Sequence, residues 1–257
     1  MNQSFFIGAI GAHQQLQRMT VQGNNIANLN TYGFKATKAR FAALMYQDPL
    51  RSIDGEEVDY GAGTALWQTD TDYSSGPLAS TGRDQDYAII GDGFFAVADL
   101  QTGEVTYTRN GAFVMSELLR PSGELDADGN VAVDEYGQPL QEKIFYLSDN
   151  EGRFVLSNTG GMIEITDPHA DQPVGVFDYI NYQGMQHLND TRFLPVEKNG
   201  NLRAAEGKAV RGMLEMSNAD LADEFSKVIE AQRAYQMALR MVTTSDEIES
   251  TINGLRS

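Results

Sequence analysis

Three histidines and a dense set of carboxylates are the side chains here whose types could bind a cation or move a proton. His13, His169 and His187 lie far apart and lack the spacing of a zinc site. His169 stands in TDPHAD, between Asp167 and Asp171, with oxygen and nitrogen ligands close together. We read that stretch as a solvated turn before Pro173. Asp126, Asp128 and Asn130 follow the first half of an EF-hand loop, but the match fails where it matters. Gly129 falls in the fourth place instead of the sixth, and Gly137 stands where the bidentate Glu belongs, so the stretch reads as an acidic turn. Gly61-Ala-Gly63 and Gly91-Asp-Gly93 lead into no helical pattern and have neither the further Gly nor the Lys of a phosphate loop; they read as β turns. There is no G-x-S-x-G elbow. With 36 carboxylates, no pair stands out as general acid and base. No cofactor, metal or catalytic residue is expected, and the chain does not read as an enzyme.

The composition narrows the classes further. The chain has 257 residues and a net charge of −17, which argues against nucleic acid and anionic lipid as partners. No apolar run approaches the roughly 18–20 residues that span a bilayer, so no membrane insertion is expected. With no Cys, disulfides, thiolate metal sites and Cys nucleophiles are excluded. Charge is unevenly spread. The first acid is Asp48, after Arg18, Lys35, Lys38 and Arg40, whereas from Glu215 onward eight acids face four bases. The acid-free segment reads as kept for contact with something acidic, with Lys35, Lys38 and Arg40 opposite Asp220, Asp223 and Glu224. MNQSFFIGAIGA lacks the basic residues of a conventional secretory signal.

Two stretches have helical periodicity. Phe5, Ala9, Ala12, Leu16, Met19, Gly23 and Ile26 step by four and three, predicting a helix over residues 3–28 with a heptad seam. Asn24, Asn25, Asn28 and Asn30 suit its exit, Gly33 can take a positive φ, and Phe34 offers an apolar anchor. Near the other end, Ser217 with Asp220 three residues on resembles a capping box. Leu221, Phe225, Val228, Gln232, Tyr235, Leu239 and Val242 then step by four and three. A second stripe, Met241, Ser245, Ile248, Ile252 and Leu255, continues out of phase, as expected when a 3.6-residue helix carries a 3.5-residue repeat. About 36 residues of helix would reach about 54 Å. Such a rod must pack along the first helix, along neighbouring subunits, or both.

Between the helices the period falls to two. Residues 87–90, 94–97, 105–108 and 112–115 read as short strands split by GDG and TRNG turns. VAVDEY, MIEIT and VGVFDYI are further strands, and KIFYLSDNEGRFVLS reads as a hairpin. The expected fold class is α+β: long N- and C-terminal helices paired as a coiled-coil unit, with an inserted β-rich middle domain. The expected divisions are 1–30 with 213–257 for the helical unit, 31–83 for an extended connector and 84–212 for the β domain. Trp67, the only Trp, reads as an interface anchor or a satellite core residue.

NNIANLNTYGFKATKARF resembles the N-terminal signature of the bacterial flagellar rod and hook proteins, and GMLEMSNADLADEFSKVIEAQRAYQMALRMVTTSDEI resembles their C-terminal signature. TDYSSGPLASTG, DYAIIGDGFF and YTRNGAF follow the family's central order, so the resemblance covers about residues 1–115 and 207–257. KARFAALMYQ and the connector look most like the distal-rod branch. FVMSELLRPSGELDADGNV departs from the pattern, which usually passes to a shorter turn.

The resemblance implies a non-catalytic axial subunit that assembles helically, with paired terminal helices forming an inner tube. It also implies delivery by the flagellar type III export apparatus, other rod and hook proteins as partners, and an extracytoplasmic basal-body location, periplasmic where the host has an outer membrane. The alternatives are a proximal-rod or hook-type paralogue, or a flagellum-associated cell-wall hydrolase. The residues expected at the assembly interface are Leu16, Met19 and Ile26 on one helix and Phe225, Val228, Tyr235 and Leu239 on the other. Asn25, Asn28, Gly33, Phe34 and Lys38 are expected around the first helix exit.

Overall fold

The computed structural model describes residues 3–44, 47–51, 57–60, 63–121, 141–189 and 191–255. The chain forms two units. The first comprises Met1–Leu29, Lys35–Tyr73 and Ala219–Ser257; the second comprises Asn30–Phe34 and Ser74–Asn218.

The first unit is built on two helices, α1 (Gln3–Ala27) and α2 (Leu221–Leu255), where the heptad spacings lie. The Asp220 side chain caps α2, its Oδ1 accepting Ala222 N–H at 2.8 Å and Asp223 N–H at 3.2 Å. This corrects the capping-box reading. Ser217 is buried in the second unit, and Asp220, placed as its reciprocal acid, is itself the cap. Between the helices in sequence lie β1 (Thr37–Ala43), β2 (Gln47–Arg51), β3 (Glu57–Tyr60) and β4 (Thr64–Thr71). β1 pairs with β4 and β2 with β3, all antiparallel. The stretch expected to be a plain extended connector therefore carries two ribbons. Its Gly, Asp and Thr content hid them from a search for alternating apolar residues.

The second unit begins its strands with β5 (Leu78–Ser80), β6 (Tyr87–Ile90), β7 (Phe95–Ala98), β8 (Val105–Thr108) and β9 (Val114–Pro121). β10 (Gln141–Ser148), β11 (Phe154–Val155), β12 (Phe177–Tyr179) and β13 (Gln186–His187) follow. The last four are β14 (Arg192–Leu194), β15 (Leu202–Ala204), β16 (Lys208–Arg211) and β17 (Met213–Glu215). Seven of them form one antiparallel sheet in the order β13-β14-β8-β7-β11-β10-β9, with β12-β15, β16-β6 and β17-β5 as separate pairs. Tyr87, Ile89, Phe95, Val97, Phe113, Leu147 and Val155 form the main core cluster. Each such buried side chain contributes about 1.5–3 kcal/mol.

Several local expectations change. The strand read at 112–115 runs on to Pro121 and pairs with β10 along its length. The hairpin read in KIFYLSDNEGRFVLS is reduced to one residue pair, Ser148 with Phe154. MIEIT makes only isolated bridges, Leu156 with Met162 and Tyr146 with Glu164. VAVDEY, Gly61 and the Asp126–Asp128–Asn130 turn lie outside the described residues. The TDPHAD turn forms, with Asp167 Oδ1 accepting His169 N–H at 2.9 Å. Its imidazole Nδ1 lies 2.6 Å from Asp84 Oδ2. The hydrogen bond from His169 and the charge of Arg211 hold the Asp84 carboxyl below the usual carboxylate range, against some desolvation.

Candidate assembly surface

α1 and α2 pack antiparallel. Ser4 Oγ meets Ser245 Oγ at 2.9 Å near one end, and Arg18 meets Glu230 at 3.6 Å further along. A Cβ added at Gly8 would come 3.0 Å from Val242 Cγ2 and 3.2 Å from Ala238 O, so the glycine sets how closely the helices approach. On α1 the covered positions include Gly8, Ala12, Gln15, Met19, Gln22 and Ile26, and a Cβ added at Gly11 would also meet Ala238. On α2 the seam runs through Glu224, Val228, Ala231, Tyr235, Ala238, Val242 and Ser245. Both step by four and three.

Compared with the expected spacings, the covered positions on each helix fall half on the expected residues and half one residue before them. Ala12, Met19 and Ile26 stay, while Ala9, Leu16 and Gly23 yield to Gly8, Gln15 and Gln22. Val228, Tyr235 and Val242 stay, while Phe225, Gln232 and Leu239 yield to Glu224, Ala231 and Ala238. At 100° per residue the contact face turns by about 50° on both helices. Size accounts for three of these positions, where Gly8, Ala231 and Ala238 let the backbones come close. Leu16 is 47% exposed, Phe225 50% and Leu239 40%.

Two features follow from this choice of face. The seam buries little apolar area and some unpaired polar atoms. Gln15 Oε1, Gln22 Oε1 and Glu224 Oε2 are buried without a hydrogen-bond partner, at a cost of about 1–3 kcal/mol each. The other Glu224 oxygen accepts from Lys227 Nζ at 2.9 Å. Conversely, α2 leaves two apolar stripes uncovered, Leu221, Phe225 and Ile229 on one side and Met237, Met241, Ile248 and Ile252 on the other. α2 also runs about ten residues past the position opposite Ser4, and Leu255 at its end is 84% exposed.

Asn25 is buried, and its side-chain amide grips the returning chain at both ends: Nδ2 donates to Thr37 O and Oδ1 accepts from Thr37 N, each at 2.9 Å. Asn28 Nδ2 donates to Asn24 O and Oδ1. Lys38 is exposed and pairs with Asp72 Oδ2 at 2.7 Å, and Arg40 pairs with Asp70. These ribbon partners replace the helix acids Asp220 and Asp223 expected opposite them. The only cross-helix ion pair of the kind foreseen among the described residues is Arg18 with Glu230.

Gly33 and Phe34 belong to the second unit, where they join a buried hub that sequence reasoning missed. Gly33 has φ +70°, and an added Cβ would overlap the backbone of Asn110. Its N–H donates to Glu215 O at 2.8 Å. Arg109 is 2% exposed and Glu215 is 0% exposed, and Arg109 Nη1 lies 3.1 Å from Glu215 Oε2. Glu215 Oε1 accepts Gly76 N–H at 2.8 Å, and Arg109 Nη2 donates to Gly91 O at 2.9 Å. The Arg109 guanidinium carbon sits 5.5 Å from the Phe94 ring centroid. One ion pair thus ties four loops together. The available signal was a lone acid between Leu214 and Met216, and a lone base closing a strand in TRNG.

Trp67 is 75% exposed, which rules out the satellite-core alternative.

The helical ends and the inserted β unit correspond to three family models: "Flagella basal body rod protein" over residues 7–35, "Flagellar hook protein FlgE/F/G D1 domain" over 88–165, and "Flagellar basal body rod FlgEFG protein C-terminal" over 210–255. The flagellar basal-body rod protein FlgG of Bacillus subtilis is 30% identical over the whole of both chains. FlgG of Agrobacterium fabrum is 30% identical over 96% of this chain and 97% of its own. The flagellar hook protein FlgE of Treponema pallidum is 35% identical over 54% of this chain and 32% of its own. The chain belongs to the flagellar basal-body rod protein family, of the distal-rod type.

Proposed function

We propose that this chain is a structural subunit of the rod of the bacterial flagellar basal body, assembling helically with further copies and with other rod and hook proteins. The family match carries that role. The observation that carries its mechanism is the division of α2 into a partly polar seam used within the chain and larger apolar stripes left uncovered. Leu16, Phe225 and Leu239 belong to the uncovered surface and are assembly contacts in this reading. Met19, Ile26, Val228 and Tyr235 hold the helix pair that presents them. In the polymer the helices pack as coiled coils, as their heptad stripes suit. The axial core comprises residues 1–30 and 213–257, with 31–83 as connector and 84–212 as outer domain. Export by the flagellar type III apparatus belongs to the same reading. A wall-hydrolase role draws no support from the relatives named above.

The test is mass spectrometry of purified hook–basal bodies, counting copies per particle. A stoichiometric presence of a few to some tens of copies is the expected result. Absence from the particles, with the chain found in the cytosol or medium, would overturn the role.

A further inference from the structure

Trp67 lies where the β1–β4 ribbon loses its register. Arg40 faces Gln68 and Phe41 faces Leu66, so Trp67 is the extra residue of a β-bulge. A bulge bends the strand and re-aims its side chains. On β1 the exposed positions are Lys38 and Arg40 before it and Phe41 and Ala43 after it, so the alternation changes phase there. Without the slip Phe41 would share the half-buried face of Ala39. The ribbon therefore turns two aromatic rings towards solvent, with Leu44 also exposed. A monomer gains nothing from such an arrangement, because the hydrophobic effect favours the opposite one.

We propose that Trp67 is an intermolecular anchor, seated on the Met237–Met241–Ile248–Ile252 stripe of α2 of a second copy of this chain. The inference rests on the self-assembly reading and adds its partner surface. At the 150–250 Å² that a whole aromatic side chain buries, Trp67 at 75% and Phe41 at 37% exposure offer roughly 170–280 Å². That suits the central anchor of an interface but is well short of the about 800 Å² per partner of a standard one. The complement must therefore be an extended apolar surface, and the α2 stripe is one. Its methionines adapt to an aromatic ring and make favourable sulfur contacts. Both surfaces are uncovered in the single chain.

The sequence has no Cys and one Trp, which makes the test specific. Two differently tagged copies, Trp67→Cys and Met241→Cys, are produced together in cells that also make the unaltered chain, and basal bodies are purified and oxidised. A mixed disulfide dimer is expected, with none from either variant alone. A Trp67→Cys with Phe225→Cys pair is the control. In parallel, Trp67→Phe and Trp67→Ala compete with the unaltered chain for incorporation. Phe is expected near parity and Ala down by about tenfold, the effect of losing an interface hot spot. Absence of the unaltered chain from basal bodies overturns the assembly reading and the anchor with it. If the chain is present, a mixed dimer only in the control pair, or Ala incorporating as well as Phe, overturns the anchor alone.

Discussion

Glu215→Ala is the substitution whose effect the structure fixes most closely. It removes one carboxylate that serves two partners, Arg109 at 3.1 Å and Gly76 N–H at 2.8 Å, in a site with no solvent to replace it. Breaking a buried ion pair from one side costs about 3–5 kcal/mol, because the remaining charge stays buried. The Gly76 N–H, left without its acceptor, adds a penalty of about 1–3 kcal/mol where it cannot reach water. The expected loss is therefore about 4–8 kcal/mol, a large part of the 5–15 kcal/mol that holds a domain. At about 2–4 °C per kcal/mol for a domain of this size, Tm falls by about 8–32 °C. The assay is urea and thermal unfolding followed by near-ultraviolet circular dichroism, which reads the tyrosines of the second unit. Arg109→Met with Glu215→Leu removes both charges and is expected to recover at least half of the loss. A Glu215→Ala loss under about 1 kcal/mol, or a double variant less stable than the single one, would refute the argument that the buried charge is the dominant cost.

Gly33→Ala is expected to lose more than the about 1–2 kcal/mol of the left-handed backbone, because its Cβ also overlaps Asn110; equilibrium unfolding measures it. Asn25→Ala removes both amide contacts to Thr37, at a cost of about 1–3 kcal/mol, and should raise hydrogen exchange at residues 20–28 before that of the β sheet. Gly8→Leu drives a side chain into Val242 and Ala238, and should lower the helical circular dichroism signal of the isolated chain while leaving the β signal unchanged. The Asp84 carboxyl, with its pKa lowered by His169 and Arg211, contributes stability that is present above the unfolded value of about 3.9 and is lost as pH falls through the folded one. Asp84→Asn should therefore be less stable than the unaltered chain at neutral pH and indistinguishable from it in strong acid. A gap that persists in acid would assign its effect to packing.

The elements and their order were legible in the sequence because periodicity reports which residues share a face. Both helices, and β6, β7, β8, β10 and β12, lie close to where the patterns placed them. The packed face of each helix was not legible. A hydropathy pattern ranks Leu239 above Ala238, but close approach of two backbones rewards the smaller residue. The ribbons of the first unit escaped notice because their pairing is carried by backbone hydrogen bonds and cross-strand charges such as Arg40 with Asp70. Arg109 and Glu215 lie 106 positions apart, and no local pattern links residues at that separation. Asn25 was legible as a helix-exit residue, but its partner Thr37 was not, since side-chain recognition of a returning strand depends on the tertiary path.

The two edges of the inserted stretch meet. Asn218 Nδ2 donates to Ser74 O at 3.1 Å, and Met216 N donates to Pro77 O at 2.9 Å. For the chain on either side, a stretch of roughly 145 residues spans the distance of a single turn. Once that stretch has folded, α2 is returned to the neighbourhood of β4 without the entropy of closing a long loop. The stretch can also lengthen, shorten or be exchanged without altering the gap it bridges. Diversity in this kind of protein can accumulate in the insert, and a foreign domain grafted between Ser74 and Asn218 should leave the helix pairing in register.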